Sequence, residues 1–81
     1  MVGKISDDLE SRLKTNVTGL INVDIVVSTN PEYEQLCIQL RKMNIIYRQH
    51  SKNRVSAYVN KKNVYDINTI DYVRKISLHK I

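Results

Sequence analysis

The fold is decided by residues 21–44, which read INVDIVVSTNPEYEQLCIQLRKMN. At the start of this stretch, β-branched residues alternate with mostly polar ones, and this period of two predicts a strand with one buried face. The predicted buried set is Ile21, Val23, Ile25 and Val27. Asn30 followed by Pro31 then predicts the start of a helix. An Asn side chain can cap free backbone N–H groups, and Pro loses no needed donor in the first turn.

The residues after Pro31 repeat with the period of a helix. One apolar stripe is predicted at the spacing i, i+3, i+4 and i+7, formed by Tyr33, Leu36, Cys37 and Leu40. We interpret Cys37 as a small buried hydrophobe, and a single Cys excludes an internal disulfide. Asn44 can take the left-handed conformation that often follows a helix. A strand that leads this closely into a helix is typical of a layered α/β or α+β unit.

Further elements are predicted on both sides of this unit. Acidic residues after Ser6 indicate a short helix over Asp7–Lys14, capped by Ser6 or Asp7. Residues 45–50 and 54–59 indicate two strands joined by a polar turn, which together form a hairpin. The second of these strands alternates cleanly. Its predicted inward residues are Val55, Ala57 and Val59, and its predicted outward residues are Arg54, Ser56 and Tyr58.

The last third of the chain allows two interpretations. Asn60 is expected to cap a second helix that continues through Ile67. Its apolar stripe could continue through Ile70 and Val73, or the chain could turn into a closing strand over residues 72–78. We favour the strand. The order is then a helix followed by β-α-β-β-α-β, an α+β ferredoxin-like sandwich in which a four-stranded antiparallel sheet carries two helices on one face. The core would contain Val64 and Ile67 as well, and the other sheet face would be open.

Composition indicates one small domain over residues 1–81 with an aliphatic core, since the chain has five Tyr but no Trp or Phe. The net charge is +5, and residues 31–81 hold ten basic and four acidic side chains. Such a balance permits weak, non-specific nucleic-acid binding or an acidic protein partner. No apolar run has membrane-spanning length and no signal-peptide core is visible. We therefore expect no membrane partner and a cytoplasmic protein, or an extracellular one if the chain is a processed fragment.

The residues contain no catalytic constellation, so we expect no enzyme and no cofactor. His50 and His79 have no Cys or carboxylate at ligand spacing along the chain, and no metal site is expected. For nucleic acid, bases stack on aromatic side chains of central strands in some ferredoxin-like sheets. Tyr58 is the candidate here, and Tyr47 is the other aromatic residue in the hairpin. Basic side chains around the hairpin could form a patch, but we favour the simpler explanation that they are solvated edge charges that discourage sheet aggregation.

Three segments are similar to parts of one known family. KISDDLESRL at residues 4–13, followed by VDIVV at 23–27, looks like an opening with an added N-terminal helix. VSAYVNKKNV at 55–64 is similar to a hairpin strand that runs into the second helix, and IDYVRKI at 70–76 resembles the closing strand. The chain in this way resembles the propeptides of subtilisin-like serine proteases and the free-standing inhibitors built like them.

The resemblance implies a function. In that family the open sheet face packs on two surface helices of the protease, and the C-terminal tail lies in the substrate cleft like a cleaved product. We therefore expect a free-standing inhibitor, or a chaperone-like propeptide, of a subtilisin-like serine protease, in which the tail adds as a strand to the cleft edges. The expected partner-binding residues are Tyr58 on the open face and Arg74, Lys75, Ser77, Leu78, His79, Lys80 and Ile81 at the C-terminus.

One departure from the family leaves an alternative open. Many of these propeptides carry acidic residues in and after the last strand, facing helix N-termini of the protease. Here those positions hold Arg74, Lys75 and Ile76, and a cation facing a helix N-terminus is unfavourable. The alternative is a small basic protein- or nucleic-acid-binding module with no protease target. Either molecule could be a monomer or a dimer formed through an exposed edge strand.

Overall fold

A computed structural model describes residues 4–15 and 19–79 of the chain. The elements in chain order are α1 (Asp7–Lys14), β1 (Ile21–Val27), α2 (Asn30–Lys42), β2 (Ile46–Gln49), β3 (Arg54–Val59), α3 (Lys61–Asn68) and β4 (Val73–Leu78). The strands form one antiparallel sheet in the order β2-β3-β1-β4. This α+β arrangement is consistent with the ferredoxin-like fold predicted from the sequence, and the closing strand is confirmed over the longer helix.

The helix starts follow local hydrogen bonding. α2 is capped by Thr29, whose hydroxyl accepts from the Glu32 N–H at 3.3 Å, while the Glu32 carboxylate accepts from the Thr29 N–H at 3.2 Å. The prediction that Asn30 is the cap is wrong by one residue, because Glu32 stands three positions after Thr29 and completes a capping box with it. Asn60 caps α3 as predicted, and Asn63 returns the contact.

The three helices share one core with one face of the sheet, which we call the covered face. Leu9 of α1, Leu36 of α2 and Ile67 of α3 are each fully buried in it. β1 is central: Ile25 lies opposite Val55 of β3 on one side and opposite Ile76 of β4 on the other. All the residues predicted for the core are buried, namely Ile21, Val23, Ile25, Leu36, Leu40, Val55, Val59, Val64 and Ile67. Cys37 is buried with them.

Residues 4–6 protect the outer edge of β4 before they lead into α1. Ile5 forms a parallel bridge with Ile76. The Ile76 N–H donates to the Lys4 carbonyl at 2.8 Å, and the Ser6 N–H donates to the Ile76 carbonyl at 2.8 Å. The Ser6 hydroxyl then accepts from the Leu9 N–H and caps α1, which decides between the two predicted caps. The segment therefore joins the sheet and the first helix in three residues.

The chain turns sharply after α2. Asn44 has a φ of 58°, the left-handed conformation predicted for it. The Ile45 N–H donates to the Leu40 carbonyl at 2.9 Å, and the chain enters β2 at the next residue. None of the described helices is long and apolar enough to cross a membrane.

Candidate functional site

The side of the sheet away from the helices carries the alternate residues of all four strands, and we call it the open face. Paired residues on neighbouring strands point to the same side of a sheet, so the register defines this face. Its members are Asn22, Asp24 and Val26 of β1, Ile46 and Arg48 of β2, Arg54, Ser56 and Tyr58 of β3, and Lys75 and Ser77 of β4, together with His50 and His79 just beyond the strands. The described helices pack on the opposite side of the sheet and leave this face uncovered.

Asp24 and His79 form a hydrogen-bonded pair at the centre of the open face. Nδ1 of the His79 ring lies 2.8 Å from Oδ1 of Asp24, and the side chains are only 19% and 14% exposed. The His79 backbone N–H donates to the Asn22 carbonyl at 3.0 Å, so the residue extends the pairing of β4 with β1. The pair is an ion pair when the imidazole is protonated and a neutral–charged hydrogen bond when it is not.

His50 packs on the ring of His79, next to the hydrogen-bonded pair of Asp24 and His79. Its Nε2 is hydrogen-bonded to the Ser56 hydroxyl at 2.9 Å, and its backbone N–H donates to the Arg54 carbonyl at 3.0 Å. The rings of His50 and His79 stack with centroids 5.1 Å apart and an angle of 27° between their planes. Ser56 was predicted to point away from the core, and it does lie on the open face. It is nevertheless buried, at 5% exposure, and His50 contacts its hydroxyl.

These contacts bring together three potential metal ligands that are distant in sequence. Asp24, His50 and His79 each offer one ligand atom, and these atoms lie within 4.8 Å of one another. Neither histidine has a carboxylate at ligand spacing along the chain, but the fold brings Asp24 beside His79. Spacing along the chain could not reveal the cluster, because 55 positions separate Asp24 from His79. The signal that could have found it is the predicted antiparallel pairing, which places the end of β4 beside the middle of β1.

An unsatisfied polar atom lies next to the cluster. Oδ1 of Asn22 is buried and has no hydrogen-bond partner among the described residues. Asn22 also lines a cavity of about 220 Å³ together with His50, Ser56, Tyr58 and His79. A buried acceptor without a donor is unusual in native structures. The cavity therefore has an acceptor available to a bound water or ligand.

The predicted partner-binding residues do not all reach the open face. Lys75, Ser77 and His79 lie on it, opposite or beside β1. Leu78 lies opposite Val23, is half-buried and packs against the core. Lys80 and Ile81 lie outside the described residues.

The two remaining predicted partner-binding residues, Arg74 and Tyr58, lie in different parts of the structure. Arg74 is exposed, and its Nε donates to the Ser28 hydroxyl at 2.7 Å near the end of β1. Tyr58 is on the open face and is 48% exposed. Tyr47, the second aromatic candidate for stacking a base, lies opposite Ala57 and packs against the core on the covered face. Among the described open-face residues, Tyr58 is thus the only tyrosine that could stack a nucleic-acid base, and the other aromatic rings there are those of His50 and His79.

Comparison of the chain with protein-family models, with curated proteins and with solved structures found no match.

Proposed function

We propose that the chain binds a protein partner through its open face, and that this partner is a subtilisin-like serine protease whose activity the chain inhibits. The observation that carries the proposal is that all three helices pack on one side of the four-stranded sheet and leave the other side bare. This is the surface that the family resemblance assigns to the protease. Tyr58 and Ile46, paired across β2 and β3, supply exposed apolar area there. Large exposed aromatic and aliphatic side chains are typical of contact surfaces.

The cations of this face bear on the choice of partner. Lys75 lies opposite Val26 on the open face, and Arg48 and Arg54 lie on the same side of the hairpin. Opposite charges across an interface favour encounter and fix the orientation of the partners. The proposal therefore requires a protease whose contact surface carries carboxylates, in place of the bare helix N-termini that acidic propeptides cover.

The tail has a more limited role than the resemblance implies. Leu78 faces the core, and the His79 N–H is used by the Asn22 carbonyl. A residue held in this way cannot fill a pocket of a protease without leaving the sheet. In the proposal, residues up to His79 anchor the sheet, and the segment that enters the cleft starts after His79.

The test compares two tyrosines of equal exposure. Tyr58 on the open face and Tyr65 on α3 are each 48% exposed. Purified chain is titrated against a panel of subtilisin-like proteases, and the inhibition constant is measured for the wild type, Tyr58→Glu and Tyr65→Glu. Wild-type inhibition without rapid cleavage is expected. Tyr58→Glu should weaken it at least about tenfold, since an aromatic anchor at the centre of an interface contributes about 2 kcal/mol or more, while Tyr65→Glu should change it little.

A truncation after His79 isolates the tail, because it leaves β4 and the Asn22 contact intact. Loss of inhibition by this variant at an unchanged thermal midpoint assigns the cleft contact to the last two residues. Rapid digestion of the wild type, or equal effects of the two tyrosine variants, would contradict the proposal. Salt-sensitive binding of single-stranded RNA that Tyr58→Ala weakens would instead support the nucleic-acid alternative.

A further inference from the structure

We propose that Asp24, His50 and His79 bind a divalent transition-metal ion of the zinc class on the open face. Their three ligand atoms lie within 4.8 Å of one another. Zinc binds imidazole nitrogen and carboxylate oxygen at about 2.0–2.2 Å, so ligands of one tetrahedral ion stand about 3.3 Å apart. Ligand atoms that stand as far apart as 4.8 Å would therefore have to approach each other by about 1.5 Å to bind one ion.

The backbone holds the three residues where such a site needs them. Asp24 is in the middle of the central strand β1, opposite Ser56 on one side and Ser77 on the other. His50 and His79 stand just past the ends of β2 and β4, each with its backbone N–H hydrogen-bonded to a neighbouring strand at 3.0 Å. A metal site built on sheet positions loses little conformational entropy when it binds the ion, because its supports are already ordered.

A second observation points to a ligand at the same place. The Asn22 Oδ1 atom is buried without a hydrogen-bond partner among the described residues, and Asn22 lines one cavity with both histidines. Three protein ligands leave a fourth tetrahedral position open, which water fills in zinc sites of this kind. A metal-bound water is a hydrogen-bond donor, and it would satisfy the buried amide oxygen. The unpaired acceptor is thus explained by the ion and its water together.

The ligand set identifies the class of ion. Two of the three ligands are imidazoles, which suit zinc, copper, nickel and iron, whereas calcium and magnesium require mostly oxygen ligands. No thiolate contributes, since the single Cys37 is buried in the core and its sulfur accepts from Gln49. Binding would replace the hydrogen bond between Asp24 and His79 by coordination to the ion. The alternative is that no metal binds, and that Asp24 and His79 remain hydrogen-bonded to each other.

The experiment titrates ZnCl2 into the full chain, with any purification tag removed and trace metal stripped by a chelator. Calorimetry gives the affinity and the stoichiometry, and cobalt substitution gives a visible spectrum whose intensity distinguishes a tetrahedral site from hydrated octahedral cobalt. One ion per chain is expected. His50→Gln, His79→Gln and Asp24→Asn should each weaken binding at least about tenfold. The chain has two His, so each histidine variant leaves a single imidazole.

Two controls separate ligation from folding. Asp66→Asn removes an exposed acid from α3, far from the open face, and should leave zinc affinity unchanged. The thermal midpoint of every variant is measured in chelator, so that a variant with lost binding is known to be folded. His50→Gln is the safest of the three because His50 is exposed and its backbone contact does not depend on the ring.

Three results would overturn the site. The first is the absence of saturable binding below about 1 mM zinc, which would leave only non-specific association of the ion with surface groups. The second is binding that both histidine variants leave unchanged. The third is one ion per two chains with formation of a dimer, which would place the ion between copies. None of these measurements involves a protease, so their outcome is independent of the proposed inhibition.

Discussion

The two faces of the sheet are built from the same strands by different rules. On β1, Ile21, Val23, Ile25 and Val27 enter the covered face and are buried, while the residues between them are half-buried on the open face. The stability contributed by the covered face depends on how much apolar surface it buries. Any aliphatic residue of suitable size can contribute, because burial of apolar surface is non-directional. The contacts of the open face depend on the placement of individual atoms, since hydrogen bonds and metal ligands need particular atoms at particular distances.

This difference decides what each face tolerates. Shortening any aliphatic side chain of the covered face should lower stability, because packing contacts are lost. A change on the open face should cost little stability but should alter the contacts of Asp24, His50 and His79. Stability and binding measurements on matched pairs of variants can therefore separate the two faces.

The largest effect is expected for a pair of neighbours on β1. Ile25→Ala removes a fully buried side chain from the covered face and should lower the free energy of unfolding by about 2–5 kcal/mol. Val26→Ala, one residue along on the open face, should cost about 1 kcal/mol or less. Urea denaturation measures both, and for a domain of this size 1 kcal/mol corresponds to about 4–8 °C in thermal midpoint. Equal losses would mean that the open face is covered in solution.

A smaller loss of stability is expected for Ser56, which is a buried residue of the open face. Ser56→Ala removes the hydroxyl bonded to His50 and should cost about 0.5–1.5 kcal/mol. The matched control is Ser77→Ala, on the same face and opposite Asp24, but only half-buried. Denaturant midpoints of the two variants decide whether the contact between His50 and Ser56 stabilises the fold. If both variants cost the same, that hydrogen bond contributes nothing specific.

The smallest effect concerns two tyrosines that pack at the rim of the covered face. Burial raises the pKa of Tyr33 and of Tyr72 above the ordinary 10.0, and repulsion from Cys37 and Tyr47 adds to the shift of Tyr33. A phenol held neutral in the folded state favours folding fully below its unfolded pKa. That stability should be lost as pH rises above about 10.

The measurement is the free energy of unfolding against pH, together with the ultraviolet absorbance of tyrosinate. Tyr33→Phe and Tyr72→Phe should each flatten the alkaline fall in stability, since Phe has no proton to lose. Tyr65→Phe on the exposed side of α3 serves as the comparison variant. A wild-type stability that does not change through this pH range would show that burial of the two rings is too slight to matter.

Much of the covered face could be predicted because its signals are local. The bounds of α1 and β3 match the sequence prediction, since the capping and alternation that specify them lie within a few residues. The cap of α2 was misplaced by one position because Thr29 and Asn30 are both good caps, and only the reach of the Glu32 side chain distinguishes them. Such errors are small and leave the packing unchanged.

The candidate site could be predicted only in part. Alternation placed Asp24, Ser56 and Tyr58 on the open face, as the structure has them. It could not show that His50 contacts the Ser56 hydroxyl or that His79 reaches Asp24, because those contacts depend on which strands are neighbours and in what register. The inward position of Tyr47 was missed for the same reason, since the register of β2 against β3 sets its side.

The bridge between Ile5 and Ile76 has a consequence for how copies of this chain can assemble. It occupies the middle of one outer edge of the described sheet, and β2, four residues long with Arg48 exposed, is the other. A sheet that is open at both edges can add molecules without limit, which is how fibrils grow. A sheet open at one edge can join only one further copy, by a two-fold axis that uses up both free strands. Edge-to-edge pairing through β2 would then stop at a pair of copies.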